Sequence, residues 1–73
     1  MKKVYYFTEV ENLSSYRQAE RIKADSITSA KRIASRHQVF SNTWLKLGLS
    51  TDNNGFIKNL IAVKNPQGRW EEV

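Results

Sequence analysis

Helical spacing of apolar residues is clearest in one segment of the chain, and this limits the possible folds. The stripe consists of Ile27, Ala30, Ile33, Ala34 and His37. Positions three and four apart share one face of a helix. Asp25 and Ser26 precede the stripe and suit a helix N-cap, because their side-chain oxygens accept hydrogen bonds from unpaired backbone N–H groups. The pattern predicts one helix that ends near Val39.

The remaining segments either alternate with a period of two or are rich in β-branched and aromatic residues, which is typical of strands. We predict strands over residues 3–10, 16–23, 43–49 and 56–64, and a short fifth strand over residues 69–73. A helix is the alternative for residues 16–23. Asn54-Gly55 and the Asn65–Gly68 segment have the residues that tight turns prefer. The predicted order is therefore β-β-α-β-β with a short last strand.

These elements predict a single α+β domain over residues 1–73, with one helix packed on an antiparallel sheet of four to five strands. Short turns between neighbouring strands favour antiparallel pairing, and one helix covers only one face of a sheet. The side chains expected to face the helix include Leu45, Leu47, Leu49, Ile57, Ile61 and Val63. The other face is expected to be open to water or to a partner.

The sequence lacks the residues that most catalytic and metal sites use. It has no cysteine, and His37 is its only histidine. Disulfides, thiolate metal sites and thiol nucleophiles are therefore excluded. The carboxylates are scattered over turns and strands, without the positioned partner that general acid–base catalysis needs. We expect a non-enzymatic protein with no catalytic residue, no metal site and no small-molecule cofactor.

The chain also lacks a pattern for membrane insertion or export. No stretch approaches the ~20 apolar residues of a membrane span. The apolar run after Lys2-Lys3 stops at Thr8-Glu9, and no small-residue cleavage site follows it. Small secreted domains usually depend on disulfides. We therefore expect a cytoplasmic protein that does not bind a membrane.

Positive charge on the predicted helix is the first candidate for a binding surface. The net charge is +5, which favours acidic partners such as nucleic acid. No acidic residue lies between Ser26 and Val39, and Lys31, Arg32 and Arg36 lie off the apolar stripe. One interpretation is contact with phosphates. The other is a solvated helix face whose C-terminal charges suit the helix dipole.

The outer face of the predicted sheet is the second candidate. Its expected residues are Trp44, Lys46, Lys58, Arg17, Arg21 and Lys23, together with aromatic residues of the first strand. Cations and aromatic rings on a sheet can neutralise a single-stranded nucleic acid and stack its bases. The alternative is that these aromatic residues are ordinary strand residues, since they have high strand propensity.

A protein partner is a different interpretation of the same outer face. Leu60 and Ala62, with Trp44 or Trp70 nearby, would form an apolar patch for self-association or for another protein. Exposed edge strands can also accept a strand from a partner. The sequence thus predicts a small binding module for DNA or RNA. A protein-interaction module or homodimer remains the open alternative.

The segment ADSITSAKRIA, from Ala24 to Ala34, follows the predicted hairpin and precedes strands that end in Gly68-Arg69-Trp70. In these features the chain resembles small uncharacterised accessory proteins of tailed phages and prophages. Those proteins often have a hairpin, a helix start of the form A-x-S-[IL]-T-x-A-K and a terminal glycine-basic-Trp strand. The resemblance spans most of the chain. It implies an accessory protein made in the cytoplasm of a bacterial host, and it assigns no activity or functional residue. A protein-interaction module from such a source would modulate a host or phage protein.

Overall fold

The computed structural model describes residues 2–73 and confirms the predicted α+β architecture with one helix and five strands. The elements are β1 Lys3–Val10, β2 Glu20–Ala24, α1 Ile27–Arg36, β3 Trp44–Thr51, β4 Ile57–Lys64 and β5 Trp70–Glu72. All neighbouring strands are antiparallel, in the order β2-β1-β3-β4-β5, so β2 and β5 form the two edges. No helix within residues 2–73 is long and apolar enough to cross a membrane.

Helix α1 begins where the capping residues predict. Ser26 has extended backbone angles, and its hydroxyl oxygen accepts a hydrogen bond from the Ser29 N–H at 3.2 Å. The helix ends at Arg36, three residues before the predicted end. It stops there because the N–H groups of Val39 and Phe40 donate to the carboxylate of Glu9 instead of extending the helical hydrogen-bond ladder.

The core lies between α1 and one face of the sheet. Its buried members are Tyr5, Phe7, Ala24, Ala30, Ala34, Leu45, Leu47 and Ala62. Ala30 and Ala34 are completely buried. Their small side chains let the helix approach the sheet closely, while the larger side chains of β1 and β3 supply most of the buried apolar volume.

The connection from β1 to β2 covers the centre of the sheet face that lies opposite the helix. β2 begins at Glu20, so the predicted strand over residues 16–23 is wrong in its first half. In the connection, the Ala19 N–H donates to the Gly55 carbonyl at 2.8 Å, and the ring centroid of Tyr16 lies 5.6 Å from that of Phe56. Thr8 on this face is only 6% exposed. The expectation of a fully open outer face is therefore wrong.

A β-bulge interrupts the alternation of β3 and β4. Leu47 pairs with Ala62, but the next residue of β3, Gly48, pairs with Leu60. Ile61 is therefore the extra residue, and the hairpin bends at this point. The bend brings the turn between β3 and β4 over the outer face, where it meets the β1–β2 connection.

Three predicted core positions are wrong. Leu49 is 49% exposed instead of buried against the helix. Ile57 lines a small cavity with Lys46 on the outer face, and Val63 pairs with Lys46, which places it on that face too. Ile61 does pack against the helix-side core, as predicted. Simple alternation fails in β4 because the strand is irregular at two places, the extra residue Ile61 and Asn59, whose φ is 52°. Leu49 lies in β3, outside the bulged strand.

Gly48→Ala should destabilise the fold because the bulge leaves no room for a side chain. A Cβ atom at Gly48 would clash with Ile57 Cγ2 and would lie 2.9 Å from the Lys58 carbonyl oxygen. The expected loss is about 1–3 kcal/mol in the free energy of unfolding, as for other overpacked sites. Urea unfolding followed by circular dichroism measures it.

Gly68→Ala provides the comparison for this prediction. Gly68 has a φ of 91°, but the nearest atom to an added Cβ is Lys64 Cε at 4.0 Å. The expected loss in free energy of unfolding for Gly68→Ala therefore comes only from placing alanine at a positive φ, about 1 kcal/mol. A Gly48→Ala protein that unfolds at the wild-type urea concentration would show that β4 does not approach β3 this closely.

Candidate functional site

The predicted cations of α1 divide into two groups. Arg32 and Arg36 are exposed and make no ion pair with any residue of 2–73. Lys31 is half-buried; its Nζ lies 3.7 Å from Glu72 Oε1 and 6.0 Å from the centroid of the Trp70 ring. Lys31 therefore helps to hold β5 against the helix, and Arg32 and Arg36 remain accessible to a partner.

The outer sheet face carries Trp44, Lys46 and Arg21, as the alternation predicts, but Lys46 is not accessible in the expected way. Its Nζ donates to the Ser15 carbonyl at 3.0 Å and lies 5.2 Å from the centroid of the Tyr16 ring. Burial lowers the pKa of Lys46. This ammonium group attaches the β1–β2 connection to the sheet. Trp44 is half-buried beside Val10, and Arg21 is exposed opposite Tyr6.

Two further predicted cations are Arg17, which lines the same small cavity as Lys46, and Lys58. Arg17 is in the β1–β2 connection instead of a strand, and its guanidinium group is paired with Glu11. Lys58 is exposed in β4 opposite Ser50. The structure therefore does not gather the predicted cations into one continuous patch.

The expected apolar patch on the outer face does not form. Ala62 is completely buried on the helix side of the sheet, and Trp70 packs against the same core. Leu60 lines a small cavity beneath the β1–β2 connection. The prediction of a shared surface for Leu60, Ala62 and Trp70 is wrong because the bulge places Leu60 on the face opposite Ala62.

An exposed apolar pair lies instead on the connection from α1 to β3. Val39 is 76% exposed and Phe40 is 64% exposed. The two residues are adjacent in sequence and project from a short loop between the helix and the sheet. Sequence reasoning missed this pair because it assigned Val39 to the end of the helix.

The carboxylate of Glu9 holds this loop in place. Its Oε1 accepts from the Val39 N–H at 3.0 Å, and its Oε2 accepts from the Phe40 N–H at 2.8 Å. The hydroxyl of Thr43 lies 2.5 Å from Oε2 and donates a third hydrogen bond. One side chain from β1 thus fixes both ends of the loop.

The pKa of Glu9 reflects this role. Burial of the carboxyl group opposes its ionisation, but the hydrogen bonds from Thr43, Val39 and Phe40 and the charge of Arg17 outweigh burial. The pKa of Glu9 is therefore below its ordinary value. The ionised form is the one that stabilises the folded loop.

Phe40 separates two shallow grooves. One groove, of about 370 Å³, runs between the end of α1 and the turn from β4 to β5, and Lys64 lies in its wall. The other, of about 390 Å³, runs between the loop and Glu11. Lys64 Nζ donates to Ser35 Oγ at 3.2 Å and to Gln38 Oε1 at 3.1 Å.

No group of three histidine or carboxylate side chains that could hold a metal ion occurs within residues 2–73. His37 is exposed at the end of α1, with its ring centroid 5.7 Å from that of Phe7.

The structure is that of a small α+β protein with one helix on a five-stranded antiparallel sheet. Among solved structures the chain is similar to AcrIF9, with a TM-score of 0.81 and 36% sequence identity over 100% of this chain and 88% of that chain. At this identity and coverage, the chain belongs to the AcrIF9 family. Neither a protein-family model nor a curated protein matches the sequence.

AcrIF9 is a small phage-encoded anti-CRISPR protein. The resemblance to phage accessory proteins is confirmed at the level of a small phage protein. The comparison supports a protein that binds a partner.

Glu9→Gln should destabilise the fold because an amide cannot accept from both backbone N–H groups and the Thr43 hydroxyl as a carboxylate does. We expect a loss of about 1–3 kcal/mol at neutral pH, typical of hydrogen bonds to a charged group. Urea unfolding measures the change. Glu71→Gln is the matched control, since Glu71 is exposed and makes no side-chain hydrogen bond to residues 2–73.

Wild type and Glu9→Gln together also test how the stability of the loop depends on pH. A carboxyl group whose pKa is lowered on folding stabilises the folded state above its unfolded pKa, and this stabilisation is lost as pH falls through the folded pKa. The difference in free energy of unfolding between wild type and Glu9→Gln should therefore be largest at neutral pH and should shrink below about pH 4. A difference that stays constant down to pH 2 would contradict the role of the ionised carboxylate.

Proposed function

We propose that this chain is an anti-CRISPR protein that binds a protein component of the CRISPR machinery in a bacterial host cell and inhibits it without catalysis. The full-length similarity to AcrIF9 carries this proposal. A TM-score of 0.81 and 36% identity over the whole of this chain indicate a common fold, which makes a related partner the simplest expectation.

The geometry supports binding to a protein more than binding to nucleic acid. Of the predicted cations, Lys46 is covered by the β1–β2 connection, while Arg17 and Lys31 are in contact with carboxylates. The most exposed adjacent apolar side chains, Val39 and Phe40, lie on a loop that is held from β1. Aromatic side chains are enriched at protein interfaces, and a few of them usually carry most of the affinity.

Expression of this protein should protect a phage from a matching CRISPR guide. The test host carries the CRISPR system that AcrIF9 inhibits, with a guide against the infecting phage. We expect plaque formation to return to the level of a host without the guide, because the bound effector no longer acts on its target. AcrIF9 itself is the positive control. Protection by AcrIF9 but not by this chain would contradict the proposal.

The same system distinguishes binding from catalysis. Purified effector is titrated with this protein, and its remaining target cleavage is measured. A binding inhibitor should reach full inhibition near a stoichiometric ratio, and the effector subunits and guide should stay intact on a denaturing gel. Complete inhibition at a small fraction of that ratio would indicate turnover and contradict a non-enzymatic mechanism.

Nucleic-acid contact is a second candidate, which the exposed and unpaired Arg32 and Arg36 favour. They are one helical turn apart, so both can reach neighbouring phosphates. Trp44, Arg21 and Lys58 would add contacts only for a ligand that wraps onto the outer face or β4. Lys31, Lys46 and Arg17 would first have to leave their present partners.

A salt titration with a generic DNA duplex and a single strand tests this second candidate. The Arg32→Gln, Arg36→Gln double variant should lose affinity and reduce the slope of log affinity against log salt by about 2, or about 1 for each lost phosphate contact. Arg21→Gln is the control for a cation on another face. Undetectable binding by the wild type at low salt would exclude this function.

A further inference from the structure

We propose that the Val39–Phe40 loop and the groove that contains Lys64 form the docking site for the protein partner. The partner surface would present an apolar pocket that receives Phe40 and, beside it, a carboxylate that reaches Lys64. This inference rests on the proposed function, because it specifies where the anti-CRISPR protein contacts its target and what chemistry the target supplies.

The apolar pair provides the anchor. Val39 and Phe40 are 76% and 64% exposed, whereas Tyr5 and Phe7 of the neighbouring strand are almost fully buried. Burying an exposed phenylalanine and valine in a partner removes substantial apolar surface from water. Anchors of this kind dominate binding when they enter a well-fitted pocket.

The loop is already in a fixed conformation before binding. The Glu9 carboxylate accepts hydrogen bonds from the backbone N–H groups of Val39 and Phe40. The Thr43 hydroxyl, at the other end of the loop, donates to the same carboxylate. Ordering a flexible loop costs free energy on association. A loop that β1 already holds loses less conformational freedom when the partner binds.

Lys64 supplies the polar half of the site. Its ammonium group has three N–H donors, and neutral oxygens of Ser35 and Gln38 accept two of them. It makes no ion pair with a carboxylate of residues 2–73. A half-buried ammonium with one remaining donor in a groove is best matched by a carboxylate, because a charge-assisted hydrogen bond is stronger than a neutral one.

The wall of the groove also favours a protein over a nucleic acid. Apart from Lys64, its lining residues carry no charge: Ser35, Gln38, Val39, Phe40, Ser41, Asn65, Pro66, Gln67 and Gly68. A phosphate backbone is usually bound by several cations that follow it. One cation between an aliphatic side chain, an aromatic ring and neutral hydrogen-bonding groups resembles the centre and rim of a protein interface.

The experiment measures binding of this protein to the purified effector complex of the CRISPR system that AcrIF9 inhibits. Phe40→Ala should weaken binding about 30-fold, the effect of a typical anchor residue. Lys64→Met keeps most of the apolar stem and should weaken binding about tenfold. Lys64→Arg restores the charge and should bind within a few-fold of wild type.

Matched controls separate the site from general surface effects. Leu49→Ala removes another exposed apolar side chain, and Lys3→Met removes another exposed lysine charge. Both should bind like the wild type. Thermal unfolding verifies that each variant is folded at the assay temperature. A folded Phe40→Ala protein with weakened binding therefore reports on contact with the partner.

The possible outcomes distinguish the inference from the proposed function. If wild-type protein does not bind the effector while AcrIF9 does, both fail. If wild type binds and inhibits but Phe40→Ala and Lys64→Met do so equally well, the docking site is overturned and the proposed function stands. It is also overturned if Phe40→Ala chiefly lowers affinity for DNA, or if sedimentation shows that Phe40 mediates self-association.

Discussion

Within residues 2–73, one helix packs on a five-stranded sheet and can cover only one of its two faces. The other face must be covered by the connections between strands, and most features of this protein follow from that constraint. Helix α1 seals one face through Ala30 and Ala34. The other face is covered by the β1–β2 connection and by the β3–β4 turn, which meet through a hydrogen bond between Ala19 and Gly55. A chain of 73 residues has little apolar material to spare. Connections that would be simple loops in a larger protein therefore take part in its packing.

Because the connections pack on the sheet, some of the positive charges contact other parts of the protein instead of solvent. Lys46 looks like a surface cation in the sequence, yet its ammonium group binds the Ser15 carbonyl and faces the Tyr16 ring. Lys31 likewise connects the helix to β5. Arg32 and Arg36 have no such structural role within residues 2–73. The net charge is thus divided between cations that hold the fold together and cations that are accessible to a partner.

Local chemistry predicted the parts of the fold that depend on neighbouring residues. The bounds of β1, the Ser26 cap and the order of the elements follow from alternation, side-chain oxygens and turn residues that lie close together in sequence. The bulge was not predictable, because Ile57 and Gly48 meet only when β4 pairs with β3. The Glu9 contacts were also hidden, since 30 residues separate Glu9 from Val39. The candidate docking site depends on these contacts, so its residues carried no signal in the sequence.

The two edges of the sheet have a consequence for solubility. β5 is only three residues long, and β2 carries the exposed side chains of Arg21 and Lys23. Short edges and edge charges discourage the addition of strands from other chains, which is the usual start of aggregation. This protection matters for a protein with an exposed aromatic side chain. Two copies that meet through that side chain do not go on to pair their edge strands. The charged edge of β2 and the short edge of β5 thus oppose strand addition in a chain that exposes Val39 and Phe40 to water.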